Sequence, residues 1–178
     1  MFIKNFIGHM KTVLHHRHLV MLHCFKAGIF LHGLTHDLSK FSPTEFIPSV
    51  KYFQGTRSPN EREREVNGYS GAWMHHKGRN RHHFEYWTDY NPKTRRLEPV
   101  AMPDDYIIEM FCDRLAASKT YNGENYNDSC PLEYFMRGKT SRLIEKNTAR
   151  KIEFLLRMLS EKGEDYTFRY IRKRFRKK

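Results

Sequence analysis

Residues 9–33, HMKTVLHHRHLVMLHCFKAGIFLHG, decide the fold class. Val13, Val20, Cys24 and Ala27 fall on one side of a 3.6-residue period, and Met10, Leu14, Met21, Phe25 and Gly28 fall on the adjoining side. An apolar face this broad, sustained over that length, predicts a long helix packed against others, with Gly33 helping to end it. Farther along, Ser42-Pro43-Thr44-Glu45 has the form of a helix start: a capping serine, proline at the first helical position and glutamate at the third. That helix is expected to run to about Gln54, bent at Pro48, with a turn over Gly55 to Pro59. Asn60 to Lys77 reads as one further helix, although Gly68 and Gly71 weaken it. Residues 88–102 read as a long loop with room for a short hairpin. Pro103-Asp104-Asp105 opens the next helix, with acids at its positive end. Ile107, Ile108, Phe111 and Leu115 supply one of its faces, and Met110, Ala116 and Ala117 surround Asp113 on another, so this helix should be buried. A polar loop over Asn122 to Ser129, a short helix at Pro131 to Met136 and a last amphipathic helix, capped by Thr140 or Ser141 and running to about Leu159, complete the chain. With no strand alternation anywhere, the expectation is an all-α bundle of about five to seven helices, a single domain over residues 1–168 followed by a basic tail at 169–178.

Composition narrows the function classes. The 178 residues suit one domain. They are 39% hydrophobic and 29% charged, which fits a soluble globular chain. No run of about 18 apolar residues exists, so no membrane span is expected. The first residues lack the apolar core and small-residue cleavage site of a secretory signal. Three cysteines, Cys24, Cys112 and Cys130, stand far apart and form no CxxC pair, which fits a reducing cytoplasm. Of the net charge of +12, seven positive charges lie in the last ten residues, RYIRKRFRKK, which contain no acid. That tail reads either as a weak nucleic-acid or acidic-surface contact or as a solvated, frayed end.

Histidine distribution says more. All 11 histidines lie between His9 and His83, and metal ligation is the first chemistry to consider for such crowding. His36-Asp37 can place an imidazole and a carboxylate on one ion, with the second carboxylate oxygen free for another. His16 lies on the inward side of the first helix, where an unpartnered imidazole is costly. His75, His76, His82 and His83 crowd a short stretch rich in aromatics, and Asp113 needs a partner charge inside its apolar helix. His9, His15, His18, His23 and His32 read as surface or packing residues. Of the stripe His9, His16 and His23, only the middle member is expected to be buried. Glu85 reads as a carboxylate that orients a ligand imidazole or as a surface charge. Lys40, Arg79 and Arg81 are candidate phosphate contacts, and Trp73, Tyr86, Trp87 and Tyr90 could stack on a base.

Two phrases carry a resemblance. His36-Asp37-Leu38-Ser39-Lys40 and Phe111-Cys112-Asp113-Arg114-Leu115-Ala116 resemble the paired motifs of the HD-domain superfamily of metal-dependent phosphohydrolases. Residues 36–46, HDLSKFSPTEF, and residues 80–87, NRHHFEYW, are similar more closely to a small, uncharacterised bacterial and phage family of HD-like proteins. The likeness covers about residues 9–160. It implies an HD-like helical domain with a first divalent ion on His16, His36, Asp37 and Asp113. It also implies that Asp37 bridges to a second ion held by His76 and by His82 or His83, with His75 remaining an alternative to His76. The ions would be one or two of Mn, Fe, Co, Ni or Zn. The activity implied is hydrolysis of a nucleotide or other small phosphoester. A dinuclear-iron oxygenase and a non-catalytic, metal-stabilised protein with a nucleic-acid-binding tail are the alternatives.

Overall fold

The computed structural model describes residues 2–138 and 142–174. The described residues are mostly helical, with eight α-helices and one two-stranded hairpin. Helix α1 (Phe2–Ala27) buries His9, Val13, His16, Val20, His23, Cys24 and Ala27, the inward side that the periodicity marks. It ends earlier than Gly33. Gly28 takes φ +84°; its amide donates to the Phe25 carbonyl (3.0 Å) and the Ile29 amide to the Cys24 carbonyl (2.9 Å). This left-handed cap satisfies two terminal carbonyls and turns the chain back on itself.

Helix α2 (Phe30–Thr35) then folds against α1. Gly33 is buried at that contact, where a Cβ would stand 2.9 Å from Cys24 Cβ and 3.0 Å from Met21 Cα. Its role is close packing of two helices rather than helix termination. Gly33→Ala is therefore expected to cost about 1–3 kcal/mol by overpacking. A denaturation midpoint unchanged by this substitution would show that α2 can back away freely.

Helix α3 (Pro43–Lys51) follows a single turn of 3-10 helix at Leu38–Phe41. The expected helix over 60–77 is two helices, α4 (Pro59–Asn67) and α5 (Gly71–Lys77). Gly68 at φ +80° stops α4, and Ser70 Oγ caps α5 by accepting from the Trp73 amide (2.9 Å). Strands β1 (Thr88–Asn91) and β2 (Arg96–Pro99) pair antiparallel, Thr88 opposite Pro99, and form the hairpin within 88–102. Helix α6 (Asp104–Asn122) is buried along Ile107 to Cys112 and at Leu115 and Ala116, as its apolar faces require. It packs against α1 on one side and α8 (Lys146–Arg174) on another, with α7 (Cys130–Arg137) beside α8. The core is formed by α1, α6, α7 and α8.

Three further expectations change. Helix α8 runs past Leu159 to Arg174, breaking at Gly163 (φ +78°), and buries Thr167, Phe168 and Ile171 in its last turns. The basic segment up to Arg174 is thus helical and docked rather than frayed. Its last four residues, and the proposed caps Thr140 and Ser141, lie outside the described residues. His9 and His23 are buried like His16. The His9 ring lies 5.2 Å from Phe46 and 5.8 Å from Phe53, and His23 stacks on Phe168 at 5.8 Å. Burial pulls both imidazoles down to about pH 4, so they pack as neutral rings. Among the described residues, no helix is long and apolar enough to cross a membrane.

Candidate metal centre

Four structural units converge beneath α1. Helix α1 presents His16, and the turn after α2 presents His36 and Asp37. Helix α5 and the turn after it present His76, His82 and His83, and α6 presents Asp113. Asp37 holds φ +53°, the left-handed region that aspartate enters more readily than most residues. That conformation, between α2 and the following 3-10 turn, sets its carboxylate at the centre of the cluster.

The ligand atoms fall into two groups that share Asp37. His16, His36, Asp37 and Asp113 form one group, and Asp37, His76, His82 and His83 the other; within each, one ligand atom per residue lies within 4.8 Å of the others. The two Asp37 oxygens divide the work. Oδ2 lies 3.2 Å from His36 Nε2 and 3.9 Å from His16 Nε2, while Oδ1 lies 3.3 Å from His76 Nε2 and 3.4 Å from His82 Nε2. Asp113 Oδ1 closes the first group at 3.0 Å from His16 Nε2 and 3.5 Å from His36 Nε2. His83 Nε2 closes the second at 2.9 Å from His76 Nε2. All seven side chains singled out as ligands from the sequence come together. Of the ambiguous pairs, His76 enters the cluster and His75 does not, whereas His82 and His83 both enter.

Carboxylates that the sequence reading missed fix the imidazoles from outside. Glu109 Oε1 accepts from His36 Nδ1 (2.9 Å) and lies 3.1 Å from His82 Nδ1, and its Oε2 accepts from His32 Nδ1 (2.8 Å). Glu45 Oε2 accepts from His76 Nδ1 (2.8 Å) and Oε1 from His75 Nδ1 (2.6 Å). A carboxylate can only accept, so it keeps the proton on Nδ1 and leaves the inward Nε2 lone pair free. Asn80 donates to Ser39 Oγ (2.8 Å) and to the His76 carbonyl (2.8 Å), which secures the turn after α5. Ser42 and Glu45 do not make the expected side-chain cap, because Glu45 is engaged with the two histidines.

This donor set fits a divalent cation. His16 Nε2, His36 Nε2, His82 Nε2 and both Asp37 oxygens are buried and make no hydrogen bond of good geometry, an arrangement that is costly unless a charge sits among them. Lys40 supplies one such charge, with Nζ 2.7 Å from Asp37 Oδ2. Burial alone would raise the Asp37 pKa, but the neighbouring His36, Lys40 and His76 hold it well below its usual value. Burial likewise opposes ionisation of Asp113, and the close approach of His16 and His36 outweighs it. His83 is pushed well down by burial and by its neighbours His82 and His76. Glu109 also stays ionised despite burial, through its bonds to His32, His36 and His82. Imidazole nitrogens with carboxylate oxygens suit Mn, Fe, Co, Ni or Zn.

A cleft of about 650 Å³ opens over the cluster and is lined by His16, Asp37, His76, His83 and Asp113. Lys40 lines it, as expected. Arg79 and Arg81 do not: both are exposed outside it, and the Arg81 guanidinium donates to Tyr106 (3.3 Å) and lies over the Tyr86 ring (5.8 Å). They stand next to the histidines in sequence, but the turn after α5 directs them away. The cations at the cleft are instead Lys40, Arg57, Arg64, Arg114, Arg137 and Arg142. Of the proposed stacking aromatics only Trp73 reaches it, joined by Tyr121 and Tyr134. Glu85 also lines the cleft; its Oε2 is buried without a hydrogen-bond partner, and burial raises its pKa.

No curated protein and no solved structure matches the chain. The family model of DUF5662, described as a family of unknown function, matches residues 5–158, a span that holds every residue of the cluster, and the chain belongs to that family.

Proposed function

We propose that the chain is a metal-dependent phosphohydrolase of the HD-like type, acting on a nucleotide or another small phosphoester. The observation that carries this reading is the placement of Asp37. One of its oxygens faces each donor group, at the floor of a cleft whose walls are rich in cations. Divalent ions held there would supply an activated water and a Lewis acid for a phosphoryl oxygen. The protein's own groups do the rest. Lys40, beside Asp37 and open to the cleft, holds a phosphate oxygen by charge. Arg114 and Arg137 offset the charge of further phosphates, and Trp73 and Tyr134 offer ring faces to a base. Because the cluster faces a cleft, the donor set supports a reactive site over a closed, purely stabilising one.

The test is phosphate release from a panel of nucleotides and phosphoesters, with Mn, Fe, Co, Ni or Zn supplied to the protein. Lys40→Ala is expected to lower turnover by roughly 10²–10³ while leaving bound metal unchanged. Absence of phosphate release with every metal would end the reading. The nitrogen-rich donor set, five imidazoles and two carboxylates, also suits a pair of irons. A dinuclear-iron oxygenase would show iron-dependent oxygen uptake in place of phosphate release.

A further inference from the structure

Helix α1 has a second face that the core does not use. Ile3, Ile7, Leu14 and Phe25 are exposed along it at helical spacing, with Ile3 at 73%. The Phe25 ring meets Phe30 edge-on at 6.1 Å, so the apolar surface continues onto Phe30, Leu31 and Leu34 of α2, where Leu31 is 74% exposed. Arg17 ties the two helices together; it donates to the Leu34 carbonyl (3.1 Å) and lies over the Phe41 ring (5.2 Å). The exposed apolar side chains of α1 and α2 thus share one outward side that is supported where the two helices meet, and an apolar face of this extent is seldom left bare.

Its charge decides what can cover it. Residues 1–36 contain no Asp or Glu. Exposed Lys4, Lys11, His15 and His18 run beside the apolar stripe on the outward side of α1. At the far end, Arg172 of α8 donates to the carbonyls of Phe25 (3.3 Å) and Lys26, which places the exposed cations Arg169, Lys173 and Arg174 of the last turn near that end of the face. A second copy of the chain would bring cations against cations. Glu164 of α8, which stands at that same end, is paired with Lys26 (3.7 Å) and Lys119. An apolar stripe that carries no acid of its own and is bordered mainly by cations matches the interface of a bilayer that carries anionic headgroups.

We propose that the outer face of α1 and α2 docks on an anionic lipid surface. Ile3, Ile7, Leu14, Phe25 and Leu31 enter the headgroup boundary, and Lys4, Lys11 and the last turn of α8 contact lipid phosphates. The cluster and its cleft take no part in this contact.

Flotation of the intact chain with phosphatidylcholine vesicles, with and without phosphatidylglycerol, tests the proposal. The chain is expected to float with the anionic vesicles, to stay behind with the neutral ones and to be released by salt. Lys4→Gln and Lys11→Gln should each lower partitioning roughly fivefold. Ile7→Glu combined with Leu31→Glu should abolish it, with helical content and bound metal unchanged. Three results overturn the proposal. One is failure to float with anionic vesicles, and another is equal flotation with neutral ones. The third is a dimer in lipid-free solution that Ile7→Glu and Leu31→Glu dissociate, which would assign the face to a second copy.

Discussion

Asp37→Ala is expected to remove metal from both donor groups at once, whereas His16→Ala is expected to remove it from one. Asp37 is the residue common to the two groups, so its loss strips a ligand from each, while His16 serves only the group with His36 and Asp113. Protein purified without a histidine tag and assayed by elemental analysis should show no bound equivalents for Asp37→Ala and one for His16→Ala. Equal loss of a single equivalent in both variants would mean a mononuclear centre and would overturn the shared role of Asp37. The metal-free protein should also suffer. Lys40 and His36 would lose the carboxylate that faces them at 2.7 and 3.2 Å, and breaking a buried ion pair on one side costs about 3–5 kcal/mol. Alanine in the left-handed conformation of residue 37 adds roughly 1–2 kcal/mol of backbone strain. Asp37→Asn separates the two terms, because asparagine tolerates that conformation but carries no charge. It should lose metal as alanine does while escaping the backbone strain.

The inward half of the centre was legible in the sequence for a definite reason. A helical period shows which side of α1 and α6 faces inward, and an inward His16 or Asp113 among apolar residues has no cheap alternative to a partner charge. The pair of His75 and His76 was not separable in that way. Helix α5 has seven residues, too few to establish a face, and adjacent residues on a helix point about 100° apart. Arg79 and Arg81 misled because closeness along the chain says nothing about direction in a turn. Glu45 was hidden by a second plausible role, since a glutamate three residues after serine is also what a capping box requires. The break at Gly68 had a visible signal in the glycine. The extension of α8 to Arg174 did not, because Gly163 interrupts the period and the buried positions resume only at Thr167.

Glu109 had a signal that went unread: it lies four residues before Asp113, one turn along the same buried face of α6. Its substitution should have the widest effect of any residue that does not itself touch the ligand. One oxygen serves His36 of the first donor group and His82 of the second, and the other serves His32. Glutamine keeps the shape but has only one accepting oxygen, so it cannot receive protons from all three imidazoles. Glu109→Gln is expected to weaken metal binding by roughly 10–100-fold, and titration calorimetry would measure that for each equivalent. Because the carboxylate reaches both groups, both equivalents should weaken together, unlike the single loss expected for His16→Ala. Glu109→Ala should further destabilise the metal-free fold by about 3–5 kcal/mol, since the imidazoles beside it lose a buried charge partner. His32→Ala is the control. His32 is partly exposed and contacts only the outer oxygen, so its removal leaves the bonds to His36 and His82 in place and should change metal affinity little. If Glu109→Gln bound both equivalents as tightly as the parent, the two imidazoles would be oriented by packing alone, and the carboxylate would have no part in holding the centre.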